Sequence, residues 1–353
     1  MIETNNSTIL EKDYSISCAR FIAMCFIVGC HMMQRDDFST DIHGAHIGWA
    51  FWFNKGVQMF LFISGYLYGK REKIDILSFY KKSFPKILVN YYVFIIAMLI
   101  VIYFSPLLDI GLSDAFKLLT FSGTVPGLGH LWFISTILFC YLLTPIFSEI
   151  INAIDERSNC RFWIESIVLL LIVQVAIMVF FQFFNAAWIN CFVIGMIYCK
   201  IEQRGKVNRR LFNVIAIVFC LLIIPIQFRI DYWPHRELPA LITSLYVSSK
   251  NYGHVFLGIA VVILIRFIKN FKKINTKEDG HHLLDWSDKY SYDVYLVHHI
   301  FVQSSFGCVE FISNRKIALP LAVILSIICA VFLYHISKFI RIKLTAVFRR
   351  LPN

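Results

Sequence analysis

The chain has 353 residues, of which 58% are hydrophobic and only 16% charged, and its net charge is +11. Soluble chains carry about 25% charged residues, and a surface this poor in charge would not stay dissolved. The same composition excludes disordered, collagen-like and disulfide-scaffold classes, which leaves a polytopic membrane protein, expected to be all-α from the apolar runs that follow.

Ten long apolar runs follow one another at 16–33, 47–69, 84–104, 130–149, 163–183, 187–199, 211–228, 252–268, 289–306 and 317–340. Only helices and closed barrels satisfy the backbone inside lipid. The runs lack the alternation of barrel strands, and their lengths fit transmembrane helices of about 20 residues. The run at 187–199 is short, and the polar stretch 238–252 reads as a re-entrant or interfacial piece before the eighth span.

Loop charge sets the expected orientation. With the N-terminus in the cytoplasm, 25 of the 34 Lys and Arg fall in cytoplasmic segments and 7 in outer loops, the remaining two lying within spans. The bias alternates with every crossing, which predicts ten helices, N-in and C-in. Cytoplasmic Lys and Arg facing anionic lipid account for most of the positive charge, so it calls for no nucleic acid. The expected organisation is a cytoplasmic segment over 1–15, one membrane-embedded domain over 16–340 and a basic tail over 341–353 that anchors to the lipid surface. No secretory signal is expected, since 1–15 is polar. The ten cysteines are scattered without a CxxC and behave as small hydrophobes.

Ionisable residues inside a membrane helix are costly and mark functional positions. The first span holds Arg20 and His31. Eleven residues at 100° each bring both side chains to one face, about 16 Å apart along the axis. Arg20 falls near the cytoplasmic edge and His31 near the outer one. The second span ends in Ser64-Gly65-Tyr66, where the small pair permits close helix contact. It runs into Lys70, Arg71, Lys73, Lys81, Lys82 and Lys86, with Pro85 opening the third span. Such a stretch serves as a topology signal or as a surface that meets phosphate.

The fourth span opens with His130 and Trp132, the latter at an expected outer boundary where aromatic residues gather. The ninth reads Ser291-Tyr292-Asp293-Val294-Tyr295-Leu296-Val297-His298-His299 and sets His298 near mid-membrane, with Asp293 and Glu310 as possible partners. His43 and His46 on the first outer loop lack the ligand set of a metal site, and no metal is expected.

In this order, Arg20 and His31, Phe60–Leu67, Leu131–Pro145 and Ser291–His298 resemble the acyltransferase 3 family of integral membrane O-acyltransferases, over about 16–340. The resemblance implies transfer of an acetyl or other short acyl group from cytosolic acyl-CoA to a hydroxyl of an extracytoplasmic acceptor, such as a surface polysaccharide or lipid-linked glycan, in a bacterial plasma membrane. It implies Arg20 and His31 as the paired catalytic residues, Ser64 and Gly65 as the family's small-residue motif, and Arg71 as the basic residue after it. The family's Arg-rich approach to the third span is here Lys81-Lys82-Ser83-Phe84-Pro85-Lys86, and Lys lacks the bidentate phosphate geometry of Arg. Donor binding is thus expected from Arg20, Ser64, Arg71, Lys82 and Lys86, with Trp132, His130, Tyr295 and His298 as further candidates. A transporter or flippase for a lipid-linked glycan is the rival from another class.

Overall fold

The computed structural model describes residues 12–36, 39–42, 45–48, 50–105, 110–125, 127–205, 208–231, 240–271 and 282–348. The helix α1 (Tyr14–Asp36) leads to a short antiparallel hairpin, β1 (Ser39–Ile42) and β2 (Ala45–Gly48), with Ser39 opposite Gly48. A single turn, α2 (Ala50–Phe53), precedes α3 (Gly56–Gly69), so the second apolar run is broken at Asn54 and Lys55. Then come α4 (Ile76–Tyr103), α5 (Leu112–Thr120), α6 (Trp132–Asp155), α7 (Asn159–Phe180), α8 (Ala186–Arg204), α9 (Arg209–Asp231) and α10 (Ala240–Phe271). The chain closes with α11 (His282–Val302), the short α12 (Cys308–Phe311) and α13 (Arg315–Phe348).

Every one of the ten apolar runs is met by a helix. Among the described residues, seven segments are long and apolar enough to cross a membrane: 14–34, 76–103, 129–155, 159–180, 210–230, 246–268 and 315–346. The other three runs fall on α3, which has only 14 residues, and on α8 and α11, which carry charge: Lys200, Glu202 and Arg204 on α8, Asp285, Asp288, Lys289 and Asp293 on α11. Length sets α3 apart and charge sets α8 and α11 apart, and all three contribute residues to the cavities described below.

Two sequence expectations change. Pro85 does not open the third helix. The helix starts nine residues earlier, at Ile76, capped by Asp75, whose side chain accepts from the Ser78 amide at 2.8 Å. Lys81 and Lys82, read as loop, are helical. Nor is 240–252 a separate interfacial piece, because α10 runs unbroken through it; residues 238 and 239 lie outside the described residues. Polarity there misled because part of it faces inward: Asn251 lines a cavity, and the Tyr252 hydroxyl bonds Asn190 and Gln174.

The bundle centre is built on α3 and α8, whose backbones touch. A Cβ added at Gly65 would stand 1.9 Å from the Phe192 carbonyl oxygen, and one at Gly195 would stand 2.2 Å from that of Phe62. Only glycine permits this approach. Around this pair pack α1, α6, α7 and α10, with α11 against α1 and α4 against α6 and α11 in the next layer. The outermost helices keep large apolar side chains exposed, among them Ile164, Leu171 and Val175 on α7, Ile215, Leu222 and Ile226 on α9, and Ile324, Phe332 and Phe339 on α13. Such faces need lipid rather than water against them.

Candidate active site

A cavity of about 500 Å³ opens at the Arg20 end of α1. All five residues expected to bind the donor line it: Arg20 from α1, Ser64 from α3, Arg71 just beyond α3, and Lys82 and Lys86 from α4. The longer α4 explains the last two. Four residues apart on a helix, they share a face. Lys289 and Arg341 add two more cations to the lining, against the carboxylates of Asp288 and Asp293. The balance suits a polyanion. Arg341 comes from α13, which continues as helix through Phe348. In the sequence it looked like part of a lipid-facing basic end, and only the packing of α13 on α4 and α11 turns it to the cavity.

Arg20 is held by an ion pair to Asp288 at 2.6 Å. The Ser17 hydroxyl donates to the other oxygen of the same carboxylate at 2.6 Å, and Lys12 approaches it at 2.8 Å. Burial acts against the Lys12 charge, yet Asp285 and Asp288 together hold its pKa above the ordinary lysine value. Deeper in the cavity wall the Asn90 amide donates to Asp293 at 2.6 Å. The Asn90 side-chain oxygen is buried without a hydrogen-bond partner among the described residues, so the wall offers an acceptor to a ligand.

His31 on α1, His298 and His299 on α11 and His130 in the single turn before α6 come together. His31 Nδ1 stands 2.8 Å from His298 Nε2. The His31 and His298 rings are near parallel, with centroids 5.0 Å apart. His299 packs edge-on against His31 at 4.9 Å and stacks on His130 at 4.4 Å. His299 Nδ1 donates to Gly127 O at 2.9 Å, and His130 Nε2 to Leu296 O at 3.0 Å. Tyr295 donates through its hydroxyl to the carbonyl of His130. Gln303 donates to the His31 carbonyl at 2.6 Å, tying the end of α11 to α1. Of the adjacent histidines it is therefore His298 that bonds His31. The partner of His298 is not Asp293, which bonds Asn90. Among the described residues no group of three or more His, Cys, Asp or Glu is arranged to hold a metal ion. His43 lies outside the described residues, and His46 stands on β2.

A second cavity, about 250 Å³, lies at the other end of the stripe. His31 lines it with Gln34, Asn54, Gln58, Trp132, Trp188, Asn251 and His254. The Trp132 and Trp188 rings stack at 4.1 Å. None of the described residues lining this cavity is Asp, Glu, Lys or Arg. Trp188, Asn251 and His254 carried no sequence signal beyond an aromatic at a span end, a polar residue in the stretch before the eighth run and a histidine near the start of that run. Tyr295 lines the first cavity rather than the second. His130 contributes through ring packing.

A further group was not legible in the sequence. Arg266, buried on α10, pairs with Glu202 on α8 at 2.8 Å and reaches Asp13 at 3.5 Å. Tyr66, in the small-residue motif of α3, donates to Glu202 and accepts from Arg266, both at 2.8 Å. This network ties α1, α3, α8 and α10 together at the Arg20 end. It uses Arg266, which loop-charge reasoning counts only as a topology signal.

A sequence model of one protein family, described as an acyltransferase domain, matches residues 13–335. No curated protein matches the chain, and no solved structure matches it.

Proposed function

The chain belongs to the acyltransferase 3 family, and from that premise we propose that it moves an acetyl or other short acyl group from cytosolic acyl-CoA to a hydroxyl of an extracytoplasmic acceptor. The acceptor is a cell-surface polysaccharide or lipid-linked glycan, and the setting is a bacterial plasma membrane crossed ten times, N-in and C-in. The observation that carries this reading is one helix face: Arg20 at a cationic cavity, and His31 three turns on at a neutral one.

In this reading the phosphates of acyl-CoA meet Arg71, Lys82, Lys86 and Arg341, while Arg20, steadied by Asp288, holds the inner part of the donor. The pantetheine arm carries amide N–H groups, which the unpartnered Asn90 oxygen and Ser64 can accept. The acceptor hydroxyl enters through the second cavity. There Trp132 and Trp188 supply apolar ring faces, and Asn54, Asn251 and Gln34 supply hydrogen-bonding groups, a lining suited to an uncharged sugar. His31 takes the hydroxyl proton as general base. The acceptor oxygen forms a C–O bond to the acyl carbon, the C–S bond breaks, and the proton ends on the coenzyme A thiol. No metal is needed for this sequence of steps.

The test is purified protein with radiolabelled acetyl-CoA and a panel of glycans. The expected result is acyl incorporation by the wild type and its loss, by about 100-fold or more, in His31→Ala, with membrane insertion intact. Full activity in His31→Ala removes the proposed base. Glycan movement across a vesicle without acylation selects the transporter instead.

A further inference from the structure

We infer that His298 is a positioning residue that fixes which nitrogen of His31 carries the proton, and so leaves a lone pair on His31 Nε2. The inference rests on His31 being the base and adds how the base is made ready.

The assignment follows from who can donate. His298 Nδ1 lies 2.8 Å from the Tyr295 carbonyl oxygen and 3.1 Å from that of Val294. Both belong to the preceding turn of its own helix. Carbonyl oxygens only accept, so Nδ1 must carry hydrogen; a bare nitrogen there would face two sets of lone pairs at close range. A neutral imidazole has one N–H, so His298 Nε2 is bare and can only accept. Its neighbour at 2.8 Å is His31 Nδ1, which must therefore be the donor. The proton of a neutral His31 is thus on Nδ1, and Nε2 is free to take another. In water the two tautomers of histidine interchange; here a rigid helix turn selects one through an intervening imidazole.

The neighbours show the same logic without the same outcome. His299 and His130 also place one ring nitrogen on a backbone carbonyl, but only His31 of the four lines the second cavity. When His31 takes the acceptor's proton it carries hydrogen on both nitrogens. Its bond to His298 Nε2 then becomes charge-assisted and stronger, so His298 favours the step as well as aiming it. This is the role of an orienting group in a nucleophile–base–orienter arrangement, filled here by a backbone-anchored histidine where a carboxylate is more familiar.

The experiment has a spectroscopic arm and a kinetic arm. In protein labelled with 15N-histidine, with the His31 signals assigned by subtracting His31→Gln, the expected spectrum shows Nδ1 protonated and Nε2 bare. A proton on His31 Nε2 in the wild type overturns the inference, whatever any variant does. In the kinetic arm, His298→Leu is expected to lower kcat about 100-fold with donor and acceptor KM within about twofold. His298→Gln, whose amide oxygen can accept from His31 Nδ1, should recover about tenfold of that. Unchanged kcat in His298→Leu overturns the inference. So does a fall in His298→Gln as deep as in His298→Leu. If His31→Ala is itself fully active, the base assignment fails separately, even where the tautomer is the one stated.

Discussion

Arg20 meets a carboxylate within the protein before it meets any ligand. Its ion pair with Asp288 is 2.6 Å long and is backed by Ser17 and Lys12, so the guanidinium is oriented in advance and its side-chain entropy is already spent. Replacing it with Ala removes one charge-assisted contact to the donor, worth about 1.5–3 kcal/mol. We expect the acyl-CoA KM of Arg20→Ala to rise about 10- to 100-fold, measured at fixed acceptor concentration. Arg20→Lys should recover part of this, because a lysine keeps the charge and loses the fork. An unchanged acyl-CoA KM would sever Arg20 from donor binding. At this scale much was legible. The eleven-residue spacing alone put Arg20 and His31 on one face, and each now lines a cavity. What spacing could not supply was the partner across the bundle. His298 and His299 are neighbours in sequence, and only the rotation of α11 against α1 decides that the first bonds His31. Neither Asp288, just ahead of the ninth apolar run, nor Asn90, within the third, is marked out by spacing.

Helices here are placed by close backbone approach as much as by apolar area. In lipid the tails are as apolar as Leu, so helix association depends on packing and interior hydrogen bonds. Gly65 and Gly195 provide the packing between α3 and α8, and the Arg266–Glu202–Tyr66 group provides polar ties at one end. A methyl at Gly65 would meet the Phe192 carbonyl oxygen at 1.9 Å, and that atom belongs to a helix backbone which cannot swing aside. Gly65→Ala should therefore cost about 1–3 kcal/mol, read as a lower unfolding midpoint in detergent. Gly111→Ala is the control, since nothing lies within 4 Å of the added methyl. Equal midpoints in the two variants would mean that α3 and α8 are not packed as described. The Ser64-Gly65 pair was legible as a packing signal, and the structure divides its labour: Gly65 packs and Ser64 lines the cavity. The start of α4 was not legible, because a helical turn carrying Lys81 and Lys82 has the composition of a loop. Its cap, Asp75, is a better guide than its hydropathy, and the shared face of Lys82 and Lys86 follows from it.

Across the whole molecule, the chemistry is distributed along a line. Cations gather at the Arg20 end, imidazoles from α1, α11 and the turn before α6 come together, and a neutral cavity with two stacked tryptophans lies beyond. The membrane class followed from composition and its all-α character from the lengths of the apolar runs, each of which has its helix. Length and apolarity recover only seven of the ten as candidate spans among the described residues, since α3 is short and α8 and α11 carry charge. Three of the charged residues that weaken α11 as a span, Asp288, Lys289 and Asp293, line the first cavity. The proposed topology gives the line a direction, with donor arriving at the cationic end and acceptor at the other. The most direct measurement uses sealed proteoliposomes in which the cationic end of every active copy faces one compartment. Radiolabelled acetyl-CoA is placed on that side and the glycan acceptor on the opposite side. The account predicts acylated glycan in this arrangement and none when the two compartments are exchanged. Acylation only when donor and acceptor share a compartment would contradict it.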